Sequence, residues 1–577
     1  MLPECHPTEN SSRFEERPMS SWFADRIVHL VAVAGLIAVA SLLSCDPTSM
    51  PASPEAVTPA PILLTNLGDQ KHPIQTSSEL AQQYFDQGLI LVFGFNHEAA
   101  IKSFEEASRL DPTCGMCRWG IALALGPNIN APMGPTAATR AYDEIQHALA
   151  LTADAKSARE RAYVEALATR YAEMEPEDRS GLDKAYADAM RGLHLANPSD
   201  VDAATLFAEA LMDLYPWAYW TAEGKPREFT QEIVDTLEGV MATAPDHVGA
   251  NHYYIHAVEE FYPDKGEAAA DRLAPLTPDA GHLVHMPSHI YWRVGRYEDA
   301  AEINRRAAES DERFFAWCRA GAFYRAAYYP HNLHFLWAAA SAEGRRDLAL
   351  MTARKLEATT RPGLAEFPFM QEFMATPMLT MARFGLWDAI LGEPRPADDE
   401  IFLVGIWHYT RGLAQVRLNS LEDAQRSIAE LRSIEQDEAA TALPLAGGTA
   451  SAASLLAIGL AHLEGEFAIA EGRTNEAVSK LELATALHDA LPYMEPPPWY
   501  APPRQALGAL LLEQDRPSEA EVVYLEDLRQ YPKNGWSLLG LAQSLEAQGD
   551  SAKASWARKG FETAWARADV ALVRSRM

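Results

Sequence analysis

Between His252 and Trp292 the chain reads HYYIHAVEEFYPDKGEAAADRLAPLTPDAGHLVHMPSHIYW. His252, His256 and Glu259 fall at helical spacing, and so do His282, His285, His289 and Trp292; His331 and His334 follow further on. Eight of the 17 histidines lie between His247 and His334, a concentration that asks for a chemical reason. Neutral imidazoles and carboxylates separated by one helical turn are ligands for Zn, Cu, Fe or Mn ions, and two helices that each contribute a pair can close a coordination sphere. The stretch is not a zinc-protease motif, because Tyr253 follows His252 where that class keeps its catalytic glutamate. The competing reading uses the same histidines with Tyr253, Tyr254, Tyr291, Trp292, Tyr328, Tyr329, Phe335 and Trp337 as a wet, metal-free groove for a peptide. Which reading applies depends on the direction in which the helices face.

The helices can be phased from the rest of the chain. In YFDQGLILVFGFNHEAAIKSFEEASRLDP, Tyr84, Gly88, Leu91, Ala100, Phe104, Ala107 and Pro112 occupy the fourth, eighth, eleventh, twentieth, twenty-fourth, twenty-seventh and thirty-second places of a frame of about 34 residues. Leu507, Gly508, Leu511, Ala520, Tyr524 and Pro532 take corresponding places near the other end, and further frames are marked by Gly295 with Ala300, Gly344 with Ala349, Gly412 with Ala424, and Gly472 with Ala477. This pattern resembles the tetratricopeptide repeat (TPR). The segments YFDQGL, GFNHEAAI, CGMCRWGIALALGPNIN, NHYYIHAVE and HMPSHIYWRVGRYEDA together resemble large bacterial multi-TPR lipoproteins. The resemblance implies an all-α, TPR-like solenoid, a right-handed superhelix of helix pairs with irregular insertions and a concave inner face. It names no particular activity.

In a TPR the second, fifth, ninth and twelfth residues of the first helix line that concave face, a stripe with offsets of three, four and three. Phased by Pro245, by Gly295 with Ala300 and by Gly344 with Ala349, the stripe receives His252, His256 and Glu259, then His282, His285, His289 and Trp292, then His331 and His334. The repeat opened after Pro198 adds Glu209, with Asp213 beside it. Pro287 suggests a helix start near His285, which would leave His282 on a loop. Asn128 and Asn130, in the Pro/Gly-rich loop Gly126–Pro135, are placed at the N-terminal end of the groove, and the aromatics of Leu491–Arg504 are expected to pack on a neighbouring repeat.

Bulk properties narrow the function. A formal net charge of −31 opposes nucleic acid and anionic lipid surfaces and suits cations or basic peptides. The apolar run Ile27–Leu43 follows Arg26 and ends in Leu42-Leu43-Ser44-Cys45, which resembles a lipobox with Cys45 as the lipidated residue; Met19 is an alternative start. The expected organisation is therefore a lipoprotein signal peptide over 1–44, a Pro/Ser/Ala-rich tether over 45–76, a TPR-like array with the histidine-rich face over 77–391, and a C-terminal TPR array over 400–577. Cys114 and Cys117 have CxxC spacing; two small core residues at a helix start is the favoured reading over a redox pair. There is no phosphate loop, nucleophile elbow or paired nucleophile and base.

Two functions follow. The first is a bacterial cell-envelope scaffold, lipid-anchored through Cys45, that binds a protein or peptide with Glu209, Asp213, Tyr254, Glu259, Trp292 and Trp337 in its groove and has no assigned catalytic residue. The second is a metal-binding TPR protein, with scope for metal-dependent catalysis, using His252, His256, His282, His285, His289, His331 and His334 and either Glu259 or Glu209 as carboxylate ligand or base.

Overall fold

Small residues set at fixed intervals against aromatic ones decide how these helices pair. The Phe104 ring lies between two first helices whose nearest residues are Gly88 and Gly120, where an added Cβ would come within 2.6 Å and 2.5 Å of the ring. Tyr524 sits in the same way between Gly508 and Gly540, with approaches of 2.5 Å and 2.1 Å. Each aromatic thus packs where only glycine leaves room.

The computed structural model describes residues 61–134, 136–153, 158–317 and 322–576. The leader, Cys45 and the first part of the tether lie outside the described residues. The fold is an all-α array of TPR-like helix pairs, including Glu79–Phe93 with His97–Leu110, Val248–Val258 with Pro263–Leu276, Tyr328–Ala342 with Arg346–Thr360, Ala452–Ala470 with Thr474–Asp489, and Gly535–Ala547 with Ser551–Ala564. The strands among the described residues are Pro444–Leu445 and Ala450–Ser451, paired antiparallel.

One turn recurs between paired helices. A residue with left-handed φ ends the first helix at Phe95, Gly295, Gly344, Gly385, Asn419, Gly472, Asp515 and Gly549. In each case the next backbone N–H reaches back to a carbonyl five residues earlier, as in Asn96 to Leu91 (2.9 Å), Arg296 to Tyr291 (2.7 Å), Arg473 to Ala468 (2.8 Å) and Asp550 to Leu545 (3.0 Å). This Schellman-type closure caps one helix and aims the next.

The stretch expected to separate the two arrays, 392–400, is a loop between the helices Trp387–Gly392 and Ile401–Arg417. The end of the expected tether, residues 61–76, is extended but fixed to the array. Leu64 and Leu67 are buried, the Leu64 N–H donates to Gln87 Oε1 (2.7 Å), and His72 Nδ1 lies 2.8 Å from Asp202 Oδ2. Cys114 and Cys117 are joined by a disulfide, correcting the reading as two separate small residues, although both are buried and Cys114 does cap the helix Gly115–Leu125. The helix Ala452–Ala470 has the length and apolarity to cross a membrane, but 56% of its apolar window is buried, and it packs on Ile401–Arg417 and Thr474–Asp489.

Candidate metal centre

Three successive first helices deliver the histidines to one place. His252 and His256 lie one turn apart on Val248–Val258. His282 and His285 lie on Gly281–His285, and His289 on Pro287–Arg293. The helix begins at Gly281, a turn before the start inferred from Pro287, because Met286 keeps helical φ and ψ and lets the chain run on into Pro287. His282 is therefore helical and sits on the same wall as the others. His331 comes from Tyr328–Ala342.

Two trios result, His252 with His256 and His282, and His285 with His289 and His331; within each, one ligand atom per residue lies within 4.8 Å of the others. His252 and His285 are 0% exposed, whereas His331 is half-buried. Phe95 lies against His252 (4.8 Å between ring centroids) and Phe335 against His285 and His289 (5.0 and 4.8 Å).

The far side of each ring fixes which nitrogen is free. His252 Nδ1 lies 2.5 Å from the Phe93 carbonyl oxygen, which can only accept, so Nδ1 carries the hydrogen. His285 Nδ1 lies 2.6 Å from Asn304 Oδ1, and Asn304 Nδ2 donates to the Ala300 carbonyl (2.7 Å), which fixes the amide with its oxygen toward the ring. His256 Nδ1 faces Glu259 Oε1 at 3.4 Å, while His289 Nδ1 faces Glu259 Oε2 at 3.3 Å and Glu495 Oε2 at 3.1 Å. The Nε2 atoms turn toward one another, 3.1 Å apart for His252 and His256 and 3.0 Å for His285 and His289. His282 is buried with neither ring nitrogen hydrogen-bonded among the described residues. An unpartnered buried imidazole is costly, and a metal ion would satisfy it.

The electrostatics favour the neutral form at five of the six rings. Burial pushes His252, His256, His282, His285 and His331 well below the usual histidine range, and neighbouring imidazoles add to the effect. Burial also pulls His289 down, but Glu259 and Glu495 outweigh it and carry this ring above the usual range. Burial raises Glu259 to about 7 and also raises Glu495.

The other sequence-nominated residues lie elsewhere. His334 stacks on Trp337 (5.1 Å, 8° between planes) and faces Phe373, because Phe335, one turn after His331, takes the place beside the trio. Trp337 donates its Nε1–H to Thr380 Oγ1 (2.6 Å), and Trp292 packs among Tyr297, Phe335 and Tyr531, so both tryptophans are packing residues. The Tyr254 hydroxyl donates to Glu238 Oε1 (2.7 Å), between helices and away from the histidines. Glu209 and the side chain of Asp213 are buried with Arg170, whose Nη2 meets Asp213 Oδ2 at 2.5 Å; neither carboxylate belongs to a histidine trio. Glu259 lies against both trios, on the Nδ1 side of His256 and His289.

Sequence reasoning missed Asn304 and Glu495. Asn304 could have been found as a polar residue between Ala300 and Ala307 on a face that repeat phasing buries. Glu495 carries no such signal; it comes from the proline-rich segment 206 positions beyond His289. It accepts from the Tyr493 hydroxyl (2.7 Å) and lies 3.6 Å from Arg293 Nε. Asn130 does reach the site's edge, with Nδ2 3.5 Å from the Tyr328 hydroxyl, and Tyr328 covers His282 at 4.8 Å.

No family model matches the chain, and no curated protein matches it. Among solved structures, the chain is similar to the human IFIT1 dimer with m7Gppp-AAAA (11% identity, 85% of this chain and 91% of that one covered, TM-score 0.31). The human IFIT1 dimer with PPP-AAAA gives 11% identity, coverage of 86% and 92%, and a TM-score of 0.30. Yeast Tom70 gives 13% identity, coverage of 84% and 91%, and a TM-score of 0.25. Superpositions this loose transfer no ligand to this chain, and its repeat character rests on its own helix pairs and turns.

Proposed function

We propose that this chain is a transition-metal-binding helical-repeat protein, with three imidazoles for each of two ions. One observation carries the reading. His252 and His256 present Nε2 atoms 3.1 Å apart while both Nδ1 atoms face oxygen acceptors. With Nδ1–H on both rings, the facing Nε2 lone pairs repel one another, and a cation between them removes that repulsion. The separation suits two nitrogens sharing one ion, given metal–nitrogen distances of about 2.0–2.1 Å. Oxygen partners on the far nitrogens are the usual means of orienting metal-binding histidines.

Three imidazole nitrogens would leave an ion with an open position, the arrangement of a catalytic site and not of a closed structural one. The repeat scaffold serves to bring ligands from three helices to one point. The acidic chain favours cations over nucleic acid. Attachment to a bacterial membrane through Cys45 remains part of the proposal, supported by the apolar run and the Leu42-Leu43-Ser44-Cys45 sequence.

Metal analysis of untagged protein tests this directly. Two ions per chain are expected, with His256→Ala and His289→Ala each losing metal from its own trio while the helical circular dichroism is retained. Folded protein that takes up no stoichiometric zinc, copper or iron would overturn the proposal.

A further inference from the structure

We infer that the two trios are halves of one dinuclear centre, which holds copper as a pair of cuprous ions and takes dioxygen between them. This rests on the metal-binding reading above and adds the identity of the ions and of their small ligand.

The trios are contiguous. Across the division His256 lies 6.0 Å from His289 and His282 lies 5.9 Å from His285, closer between ring centroids than His256 and His282 within one trio (6.5 Å). Glu259 sets one oxygen on His256 and the other on His289, so a single carboxylate orients a ring of each trio.

The donor set selects the metal. Six imidazoles converge, and the carboxylates of Glu259 and Glu495 contact Nδ1 atoms, on the side of the rings away from the paired Nε2 atoms. Hard ions that require oxygen ligands are disfavoured, whereas copper, zinc and iron accept imidazole. Charge separates these. Two divalent ions would bring four positive charges into a buried site with no anionic ligand, and burying uncompensated charge is costly. Two cuprous ions bring half as much, against the buried carboxylates Glu259 and Glu495, with Arg293 beside the latter.

The surroundings limit the ligand. Trp217 covers His256 edge-on at 5.0 Å, Tyr328 covers His282, and Phe335 closes the other trio. The cavity that reaches His282, lined also by Gly94, Asn96 and Asp279, holds about 10 Å³, room for about one water. On that side only a ligand about the size of water or dioxygen has room beside His282, among Asp279 and Asp311. On binding, each cuprous ion would give one electron and dioxygen would take both, becoming a peroxide whose two negative charges offset those the ions gain; the oxygen–oxygen bond would stay intact, no proton would move, and release would reverse the transfer.

The experiment loads metal-free, untagged full-length chain with cuprous ion under anaerobic conditions and then admits oxygen, with zinc loading in parallel. Two coppers per chain are expected, with one dioxygen taken up per pair, a near-ultraviolet charge-transfer band that fades on deoxygenation, and no cupric paramagnetic resonance from the oxygenated protein. Glu259→Gln is expected to weaken binding of both ions, by about 10–100-fold, and to weaken the magnetic coupling, which a merely structural role would leave intact in whatever copper remains bound. Two zinc or iron ions held with copper refused would overturn the inference and leave the metal-binding reading standing. Copper with an ordinary isolated cupric signal after oxygen would overturn the shared centre alone. No metal of any kind would overturn both.

Discussion

At the scale of single residues, burial lowers most of these histidines and raises several acids. Glu372, remote from the histidines, shows the consequence for stability. Burial raises its carboxyl to about 7 from an ordinary 4.5, against the Ala446 N–H that donates to Oε2 at 2.7 Å. Between those values the folded chain keeps a proton that the unfolded chain has released, so stability is full below about pH 4.5 and falls as pH rises toward 7. The loss amounts to about 3 kcal/mol once the folded carboxyl has ionised. Glu372→Gln keeps an acceptor for Ala446 but cannot ionise, so the melting temperature of the variant is expected to fall less between pH 5 and pH 8 than that of the parent. Parallel melting curves across that range would contradict the assignment. The histidine stripe was legible in the sequence because offsets of three and four on a phased helix fix a face. His334 broke the rule because the stripe on its helix runs from His331 to Phe335, and a frame anchored at Gly344 does not resolve a shift of one residue. The burial of the wall was not legible either, since phasing gives direction but not what packs above it.

At the scale of elements, the site depends on how closely the short helix Gly281–His285 approaches Tyr297–Trp317. An added Cβ at Gly281 would lie 1.9 Å from Asp311 Oδ1, and Asp311 is itself held by the Tyr324 hydroxyl (2.9 Å) and Asn332 Nδ2 (2.7 Å). Neither side can give way easily. Gly281→Ala is therefore expected to destabilise the fold by about 1–3 kcal/mol through overpacking. It should also displace His282 and lower the metal content of the first trio more than that of the second. Gly239→Ala, on Thr230–Thr243 with nothing within 4 Å of the new methyl, serves as the control and is expected to stabilise by about 0.5–1 kcal/mol. Denaturation and metal analysis on both variants would settle it; equal stability of the two would mean the helix is not seated as described. The turns that set these approaches were legible where glycine supplies the left-handed residue, at Gly295, Gly344, Gly472 and Gly549. They were not legible at Phe95, Asn419 and Asp515, where an ordinary residue takes the same conformation.

At the scale of the whole array, helices far apart in sequence lock the histidine wall from behind. Pro532 lies so close to Gly295 that an added Cβ there would come within 2.1 Å of its carbonyl, Trp536 donates its Nε1–H to the Ser341 carbonyl (3.2 Å), and Asp569 accepts from the Arg346 and Asp347 N–H groups (2.8 and 2.9 Å). These contacts bring the proline-rich segment to the centre, where Glu495 meets His289 at 3.1 Å. No local pattern announces such a contact, because it is set by the summed turn of the intervening helix pairs. The linkage runs both ways. An ion bound through His289 Nε2 would leave Nδ1 facing the Glu495 carboxylate 3.1 Å away, so the ion would stabilise the docked segment and its removal would loosen it. At free metal near 100 times its dissociation constant the gain is about 2.7 kcal/mol, equivalent to about a hundredfold fewer openings. Chymotryptic cleavage after Tyr493, followed by fragment mass, is therefore expected to quicken by up to about a hundredfold in chelated protein, in the regime where cleavage tracks the open population. Cleavage after Trp556, which is 65% exposed on the helix Ser551–Ala564 and has no part in the site, should be unaffected by chelation. If both sites respond equally, metal stabilises the chain as a whole, and Glu495 does not couple the proline-rich segment to the histidines.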